Sequence, residues 1–218
     1  MKSFYFLKTS LFLALLSTMV ITSCSKSTKT ADETVSDNIE INLGVRNGNT
    51  NATSQTQSPR ELDLLAWTVS GDPVTLRSIL RFAQLPSTGG SATAPTKAFL
   101  TLYSHPNPSN GDQINANSGT DNSFTIRRVN SYWDPSGIPT WSAQPSTTTV
   151  GQVIVSHTSF GQKDLISIDV TQIVRDIYAN GNNGIMLKLR DETYYTSRIF
   201  CSSAHADANK RPKLTLVF

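Results

Sequence analysis

The 218-residue chain has few cysteines, little net charge and no long apolar run. Its N-terminal apolar run, residues 11–21, is shorter than the about 20 residues of a membrane-spanning helix, and no later segment comes close. The formal net charge is +3, and it falls to +1 when Lys2 and Lys8 of the N-terminal segment are left out. This balance gives no general attraction to nucleic acid or to anionic membranes, so we predict no nucleic-acid partner.

The sequence also lacks the common signatures of catalysis. Three histidines are far apart and lie in no metal-ligand spacing: His105, His157 and His205. No G-x-S-x-G elbow and no phosphate loop is present. Two carboxylate pairs are predicted not to converge on one bond as a glycosidase requires: Glu61 with Asp63, and Asp191 with Glu192. We therefore predict a protein that is not an enzyme and that has no cofactor.

Acidic residues in the predicted loops follow no calcium-binding pattern, so we predict no metal site. These residues are Asp112, Asp121 and Asp134.

The first 24 residues are typical of an export leader. Lys2 and Lys8 precede the apolar run 11–21, which leads into Ile21-Thr22-Ser23-Cys24. This ending resembles the bacterial lipobox, which implies removal of residues 1–23 and attachment of a lipid to the thiol of Cys24. We therefore expect a lipid-anchored protein of the cell envelope, outer-membrane, periplasmic or surface-facing, which contacts the membrane only through its lipid. The alternative is an ordinary secreted protein in which Cys24 stands at this position by chance.

Modification of Cys24 leaves Cys201 as the only free thiol, so no intramolecular disulfide can form. Cys201 lies in a strand-like run, and we expect it to act as a small buried hydrophobic residue. Residues 24–37 are rich in Ser, Thr, Lys and acidic residues, which predicts a flexible tether. Residues 46–60 are rich in Asn, Thr, Ser and Gln, which predicts a long loop.

The remaining chain, residues 38–218, reads as one β-rich domain. Short runs of aliphatic and aromatic residues are separated by Gly, Pro, Asn and Ser clusters, and several alternate with period two. We predict strands at 39–43, 62–69, 78–82, 97–103, 124–129, 153–157, 165–169, 185–190, 198–202 and 213–218.

One segment instead has helical spacing, because its apolar positions are 170, 173, 174, 177 and 178. Asp169 or Thr171 is predicted to cap its start, and Gly181 is predicted to end it. Many short strands with a single short helix indicate an all-β fold, a two-sheet jelly-roll sandwich.

Five segments, taken in order, carry a resemblance to a known family. They are Arg77-Ser78-Ile79-Leu80-Arg81-Phe82; Ala98-Phe99-Leu100-Thr101-Leu102-Tyr103; Thr140-Trp141-Ser142-Ala143-Gln144-Pro145; Ile168-Asp169-Val170-Thr171 with Gly181-Asn182-Asn183-Gly184-Ile185; and Phe200-Cys201-Ser202-Ser203 with Arg211-Pro212-Lys213-Leu214. Together they resemble the DNRLRE domain, which is also described as a carbohydrate-binding-module family of exported proteins. The resemblance covers roughly residues 38–218. It implies a non-catalytic β-sandwich, and some members of the family bind anionic polysaccharides. Trp141 of the third segment is expected to be a core anchor at a turn rather than a sugar platform.

Sugars are held by aromatic faces and planar hydrogen-bonding groups, and uronates additionally favour Arg or Lys. The first candidate glycan surface is a cationic patch edged by tyrosine: Lys188, Arg190, Tyr194, Tyr195 and Arg198. The second is a stacking loop with a neighbouring cation: Tyr132, Trp133 and Arg127. The alternatives are a solvated sheet face for the first and a loop folded onto the core for the second.

We therefore predict a lipid-anchored envelope module that binds polysaccharide, including anionic, uronate-containing glycans. The competing hypothesis is a structural or adhesive subunit of a surface assembly with a protein partner. A polysaccharide lyase, built from Tyr194, Arg198 and His205, is the least favoured.

Overall fold

The computed structural model describes residues 32–36, 38–49, 54–57, 59–90, 92–137 and 139–218. The predicted leader, the lipid-attachment residue Cys24 and most of the predicted tether lie outside these residues. The described strands, in chain order, are β1 (Glu33–Val35), β2 (Asn38–Arg46), β3 (Ser54–Gln57), β4 (Glu61–Val69), β5 (Asp72–Phe82), β6 (Lys97–Leu102), β7 (Asn117–Ser118), β8 (Phe124–Arg128), β9 (Val153–Val155), β10 (Leu165–Asp169), β11 (Ile185–Leu189), β12 (Thr196–Cys201) and β13 (Lys213–Val217). The α-helix α1 (Thr171–Asn180) lies between β10 and β11, and a 3₁₀ turn spans Ala208–Lys210.

The strands form two antiparallel sheets. The smaller sheet has the order β1-β13-β6-β10. The larger sheet has the order β7-β12-β4-β5-β11-β8-β9, and β2 pairs with both β5 and β3. All of the described pairs are antiparallel, so the predicted all-β sandwich with one short helix is confirmed.

The main core lies between the two sheets because alternate side chains of each sheet point inward. In β6, Ala98, Leu100 and Leu102 are fully buried, whereas Phe99 and Thr101 on the opposite face remain partly exposed. The larger sheet contributes Leu62, Leu64, Phe124, Ile126, Leu187 and Phe200 to the same cluster. Period-two alternation in the sequence therefore reports the inner face correctly.

Helix α1 packs its apolar stripe on this core. Ile173, Val174, Ile177 and Tyr178 are buried, as their spacing predicts. The carboxylate of Asp169 accepts a hydrogen bond of 2.9 Å from the backbone N–H of Thr171 at the start of the helix. Gly181 ends it with φ of 94°, and its N–H donates to the carbonyl of Ile177 at 2.8 Å. Among the described residues, no helix is both long enough and apolar enough to cross a membrane.

Two predicted boundaries differ from the structure. Strand β1 lies inside residues 24–37, and Val35 is buried, so the part of this segment nearest the domain joins the smaller sheet. Strand β3 lies inside residues 46–60 and pairs with β2 along Ile41–Gly44 by backbone hydrogen bonds. Such strands are not predicted from the sequence when their residues are mostly polar, because backbone pairing does not require an apolar pattern.

A second, smaller apolar cluster covers the outer face of the larger sheet. It contains Ile41, Leu43, Ile79, Val129, Trp133 and Met186. The loop that follows β8 is therefore folded onto this face rather than extended into solvent. Polar and charged side chains lie next to this cluster on the same face of the sheet.

Candidate functional site

Three cations lie on the outer face of the larger sheet, on three neighbouring strands. Met186 of β11 pairs with Arg127 of β8 and with Ile79 of β5. Side chains at alternate positions share a face, so Lys188 lies on the face of Met186, and Arg77 lies on the face of Ile79. We call Arg77, Arg127 and Lys188, with the groups that contact them, the cationic face.

Arg77 is the best-anchored member of the cationic face. Its Nε and Nη2 donate to the two carboxylate oxygens of Glu192 at 2.7 and 2.8 Å, and its Nη1 donates to Gln144 Oε1 at 2.7 Å. The guanidinium carbon lies 4.3 Å from the centroid of the Trp141 ring. A two-bond guanidinium–carboxylate pair with a stacked aromatic ring fixes the geometry of the group.

Lys188 and Arg127 have fewer partners. Arg127 Nε donates to Gln152 Oε1 at 2.9 Å, and this partner is a neutral amide that does not compensate the charge of the guanidinium group. In the described part of the chain, Lys188 forms no ion pair. Burial lowers the pKa of Lys188, and the charges of Arg77 and Arg127 lower it further, while Glu192 opposes them. The ammonium group of Lys188 is thus half-buried, and the electrostatic potential around it is positive.

The predicted cationic patch is only partly assembled by the structure. Lys188 lies on the cationic face, and Arg127, a predicted member of the stacking loop, lies near it on the neighbouring strand. Arg190 is exposed just beyond the end of β11, where its charge helps to lower the pKa of Asp121. Tyr194 and Tyr195 are 48% and 58% exposed before β12.

Tyr195 packs edge-on against Trp67, with ring centroids 5.3 Å apart. These two aromatic residues form a pair at β4 that is separate from the cationic face.

Arg198 is removed from the candidate surface because it is fully buried. Its guanidinium lies over the rings of Phe124 and Phe200, and Nη1 donates to Asn122 Oδ1 at 3.3 Å. Burial lowers its pKa to about 10. The prediction that it joins Lys188 and Arg190 in one patch is wrong: β12 does not pair with β11, and Arg198 points into the core.

The predicted stacking loop divides into one buried and one exposed aromatic residue. Trp133 is 4% exposed, and its Nε1 donates to the carbonyl of Asn183 at 2.8 Å, so it cannot stack on a sugar. Tyr132 is 75% exposed beside it. Trp141 was expected to anchor the core, but the structure leaves it partly exposed, with its ring against the guanidinium group of Arg77.

The residues considered for a lyase do not share a surface, because Arg198 is inside the core while Tyr194 is exposed. His205 instead packs edge-on against His105, with ring centroids 5.4 Å apart. Burial raises the pKa of Cys201 to about 11, which fits its predicted role as a small buried residue.

Within the described ranges, no group of three or more His, Cys, Asp or Glu residues is arranged to hold a metal ion. Asp112, Asp121 and Asp134 each accept hydrogen bonds from residues two or three positions further along their own turns.

Four residues of the cationic face were not recognised as site residues from the sequence: Arg77, Gln144, Gln152 and Glu192. Their contacts join positions 25 to 115 residues apart, which no local pattern reveals. Arg77 and Gln144 do lie in the segments that carry the family resemblance, and this is the one signal that could have found them.

The family model of carbohydrate-binding module family 96 matches residues 23–218. No curated protein matches the chain. The match confirms the expected carbohydrate-binding-module class, and the more specific resemblance to the DNRLRE domain stays a prediction.

Proposed function

Because the chain belongs to carbohydrate-binding module family 96, we propose that its cationic face binds an anionic, uronate-containing polysaccharide. The family indicates carbohydrate as the ligand and a binding domain rather than a catalyst. The proposal adds the charge of the ligand and the position of the site. Binding uses charge, hydrogen bonds and aromatic contact, and no bond of the sugar is broken.

The observation that carries this proposal is the position of Lys188. A half-buried ammonium next to two guanidinium groups is repelled by them, and the neighbouring carboxylate of Glu192 is already paired with Arg77. A uronate carboxylate beside Lys188 and Arg127 would relieve that repulsion and would be held by charge-assisted hydrogen bonds. A neutral sugar offers no such compensation.

The groups around the cations suit a sugar ring. Gln144 and Gln152 already orient the guanidinium groups of Arg77 and Arg127, and their amides have further hydrogen-bonding capacity for hydroxyl groups. Trp141 supplies a partly exposed aromatic surface. Tyr132 is exposed and adjoins Trp133 in sequence, which packs with Ile79 and Met186 on the same side of the sheet. Aromatic and planar polar groups together are what sugar recognition requires.

The location of the protein is part of the proposal. A lipid on Cys24 would anchor the chain in the cell envelope, facing the periplasm or the cell surface. Eight residues lie between Cys24 and Glu33 at the start of β1, and the nine residue-to-residue steps of this segment span at most roughly 30 Å. The domain would then act within that distance of the membrane surface.

Affinity electrophoresis through gels that contain uronate or neutral polysaccharides tests the ligand class. We expect retardation by the uronate polymer, weakened by salt. The Arg127→Ala/Lys188→Ala double variant should lose it. The matched control is Lys97→Ala/Lys213→Ala, which makes the same change of net charge on the smaller sheet. Its retardation, measured relative to a gel without polysaccharide, should equal that of the wild type.

Retardation by neutral glycans alone would overturn the charge-based assignment and favour the Tyr132 region. No retardation across a broad panel would favour the competing hypothesis, a structural or adhesive subunit, which crosslinking on intact cells would then examine.

A further inference from the structure

A pair of aromatic rings lies near the C-terminal end of β4. Trp67 and Tyr195 pack edge to face, with ring centroids 5.3 Å apart and an interplanar angle of 83°. Tyr195 and its neighbour Tyr194 are 58% and 48% exposed, and Trp67 is partly exposed. We call these three residues the aromatic corner. An edge-to-face contact covers one face of one ring only, so open ring surface remains for a ligand.

A buried apolar cluster holds Trp67 from one side. The indole packs against the cluster that is formed by Leu65, Val74, Ala116 and Ile199. Val69 is two residues further along β4, so it lies on the same face as Trp67, and it is 45% exposed. The anchored indole and this aliphatic neighbour therefore present apolar surface to the solvent at a fixed position.

The turn that carries the two tyrosines is fixed at both ends. The carboxylate of Glu192 accepts two hydrogen bonds from Arg77, and Thr196 pairs with Ala66 of β4. Between these anchors Tyr195 has φ of 67°, a left-handed conformation that a bulky side chain rarely adopts. Such a conformation persists only where the surrounding structure holds it, and it is concentrated at binding sites. Because the ring is already ordered, little conformational entropy is lost when a ligand binds.

The rings of the aromatic corner are not covered by cations. In the described part of the chain, no Arg or Lys side chain lies over Trp67, Tyr194 or Tyr195. Trp141 of the cationic face differs, because the guanidinium carbon of Arg77 lies 4.3 Å from its ring centroid. The face of an uncovered ring is electrostatically negative, so it attracts C–H groups and repels carboxylates. The aromatic corner therefore favours a neutral ligand that has an apolar face.

We propose that the aromatic corner is a second carbohydrate site, which binds neutral β-linked pyranose units with equatorial hydroxyl groups. In such a sugar the hydroxyl groups lie around the rim, and the axial C–H groups form flat apolar faces that can stack on an aromatic ring. The phenol groups of Tyr194 and Tyr195 can donate hydrogen bonds to the rim hydroxyls and accept them. The proposal rests on the carbohydrate-binding class of the chain and does not require the cationic face.

Affinity electrophoresis through gels that contain hydroxyethylcellulose, arabinoxylan or laminarin tests the proposal. We expect at least one of these neutral polymers to retard the wild type, and salt should not weaken the retardation because no ionic contact is involved. Tyr195→Gly removes a ring and suits the positive φ, so it should stay folded and bind about tenfold more weakly. Tyr195→Phe keeps the ring and should bind within about twofold of the wild type.

Trp67→Leu tests the same site without a change in the turn. Leucine keeps an apolar side chain on the cluster beneath Trp67 but removes the flat indole, so binding of the neutral polymer should again weaken. The matched control is Phe160→Ala, which removes a 68% exposed ring from another loop and should bind like the wild type.

The uronate gels separate this site from the cationic face. Tyr195→Gly should keep the retardation by the uronate polymer, and Arg127→Ala/Lys188→Ala should keep the retardation by the neutral polymer, so each site can fail alone. A wild type that none of the three neutral polymers retards would overturn the proposal. Retardation that is unchanged in both Tyr195→Gly and Trp67→Leu would overturn it as well.

Discussion

Arg77 and Glu192 form a two-bond ion pair of 2.7 and 2.8 Å, across 115 residues of sequence. The pair joins β5 to the turn after β11 and presses the guanidinium against Trp141. Because Glu192 is engaged by Arg77, it only partly offsets the charge around Lys188. The cationic face therefore keeps positive potential even though it contains a carboxylate.

Replacing Glu192 by Gln should separate the stabilising role of this pair from its effect on ligand binding. Loss of the charged hydrogen bonds should lower the free energy of unfolding by about 1–3 kcal/mol, measured by urea denaturation. The face gains one net positive charge, so uronate affinity should increase by about twofold to tenfold at low salt. Asp191→Asn removes the neighbouring exposed carboxylate and should change stability little. Weaker uronate binding by Glu192→Gln would contradict the account.

Tyr132 and Trp133 should respond in opposite ways to substitution by Ala. Trp133→Ala removes a buried ring from the outer apolar cluster and should lower the free energy of unfolding by about 3–5 kcal/mol. Tyr132→Ala removes an exposed ring and should change it by less than about 0.5 kcal/mol. Tyr132→Ala should instead weaken glycan binding by about twofold to tenfold, measured by affinity electrophoresis. A strongly destabilised Tyr132→Ala would mean that this loop is packed differently.

Glu40 should make the stability of the protein depend on pH. Burial raises its pKa from 4.5 to about 7, despite hydrogen bonds of 2.8 and 2.9 Å that it accepts from Ser203. Between these two pH values the folded state binds more protons than the unfolded state, so stability falls as pH rises through the window. Full ionisation should cost about 3 kcal/mol. Glu40→Gln should remove this loss and should be more stable than the wild type at pH 8.

Urea denaturation at a series of pH values from 4 to 8 measures this effect. Asp63 has a pKa raised by burial and by the charge of Glu61, so it adds to the slope in the same direction. The informative quantity is therefore the difference between Glu40→Gln and the wild type. Glu33→Gln, on the exposed side of β1, is the matched control and should follow the wild-type curve. If the difference in the free energy of unfolding between the wild type and Glu40→Gln does not change with pH, the pH dependence does not come from Glu40.

The elements with strong periodicity were predictable from the sequence. The alternation of β6 and the helical spacing of α1 each follow from one buried face, and a buried face leaves a pattern of apolar residues. Strands β1, β3 and β7 were missed because they are short and largely polar. Their pairing is a backbone property that local composition does not encode.

The candidate site was only partly predictable. Alternation along β11 correctly grouped Lys188 with the outer face, but sequence alone could not show that β12 lies on the far side of β4 and β5. Arg198 was therefore placed in the wrong environment. Partners such as Arg77 and Glu192 depend on strand order, which is set by tertiary packing rather than by local pattern.

Isothermal titration calorimetry of Lys188→Met with a uronate oligosaccharide tests the central claim most directly. Because Lys188 is half-buried in positive potential, its removal should leave the free energy of unfolding unchanged or higher, and uronate affinity should fall at least about tenfold. Lys213→Met, on the smaller sheet, should bind like the wild type. If Lys188→Met binds the oligosaccharide as tightly as the wild type, the cationic face is not the glycan site.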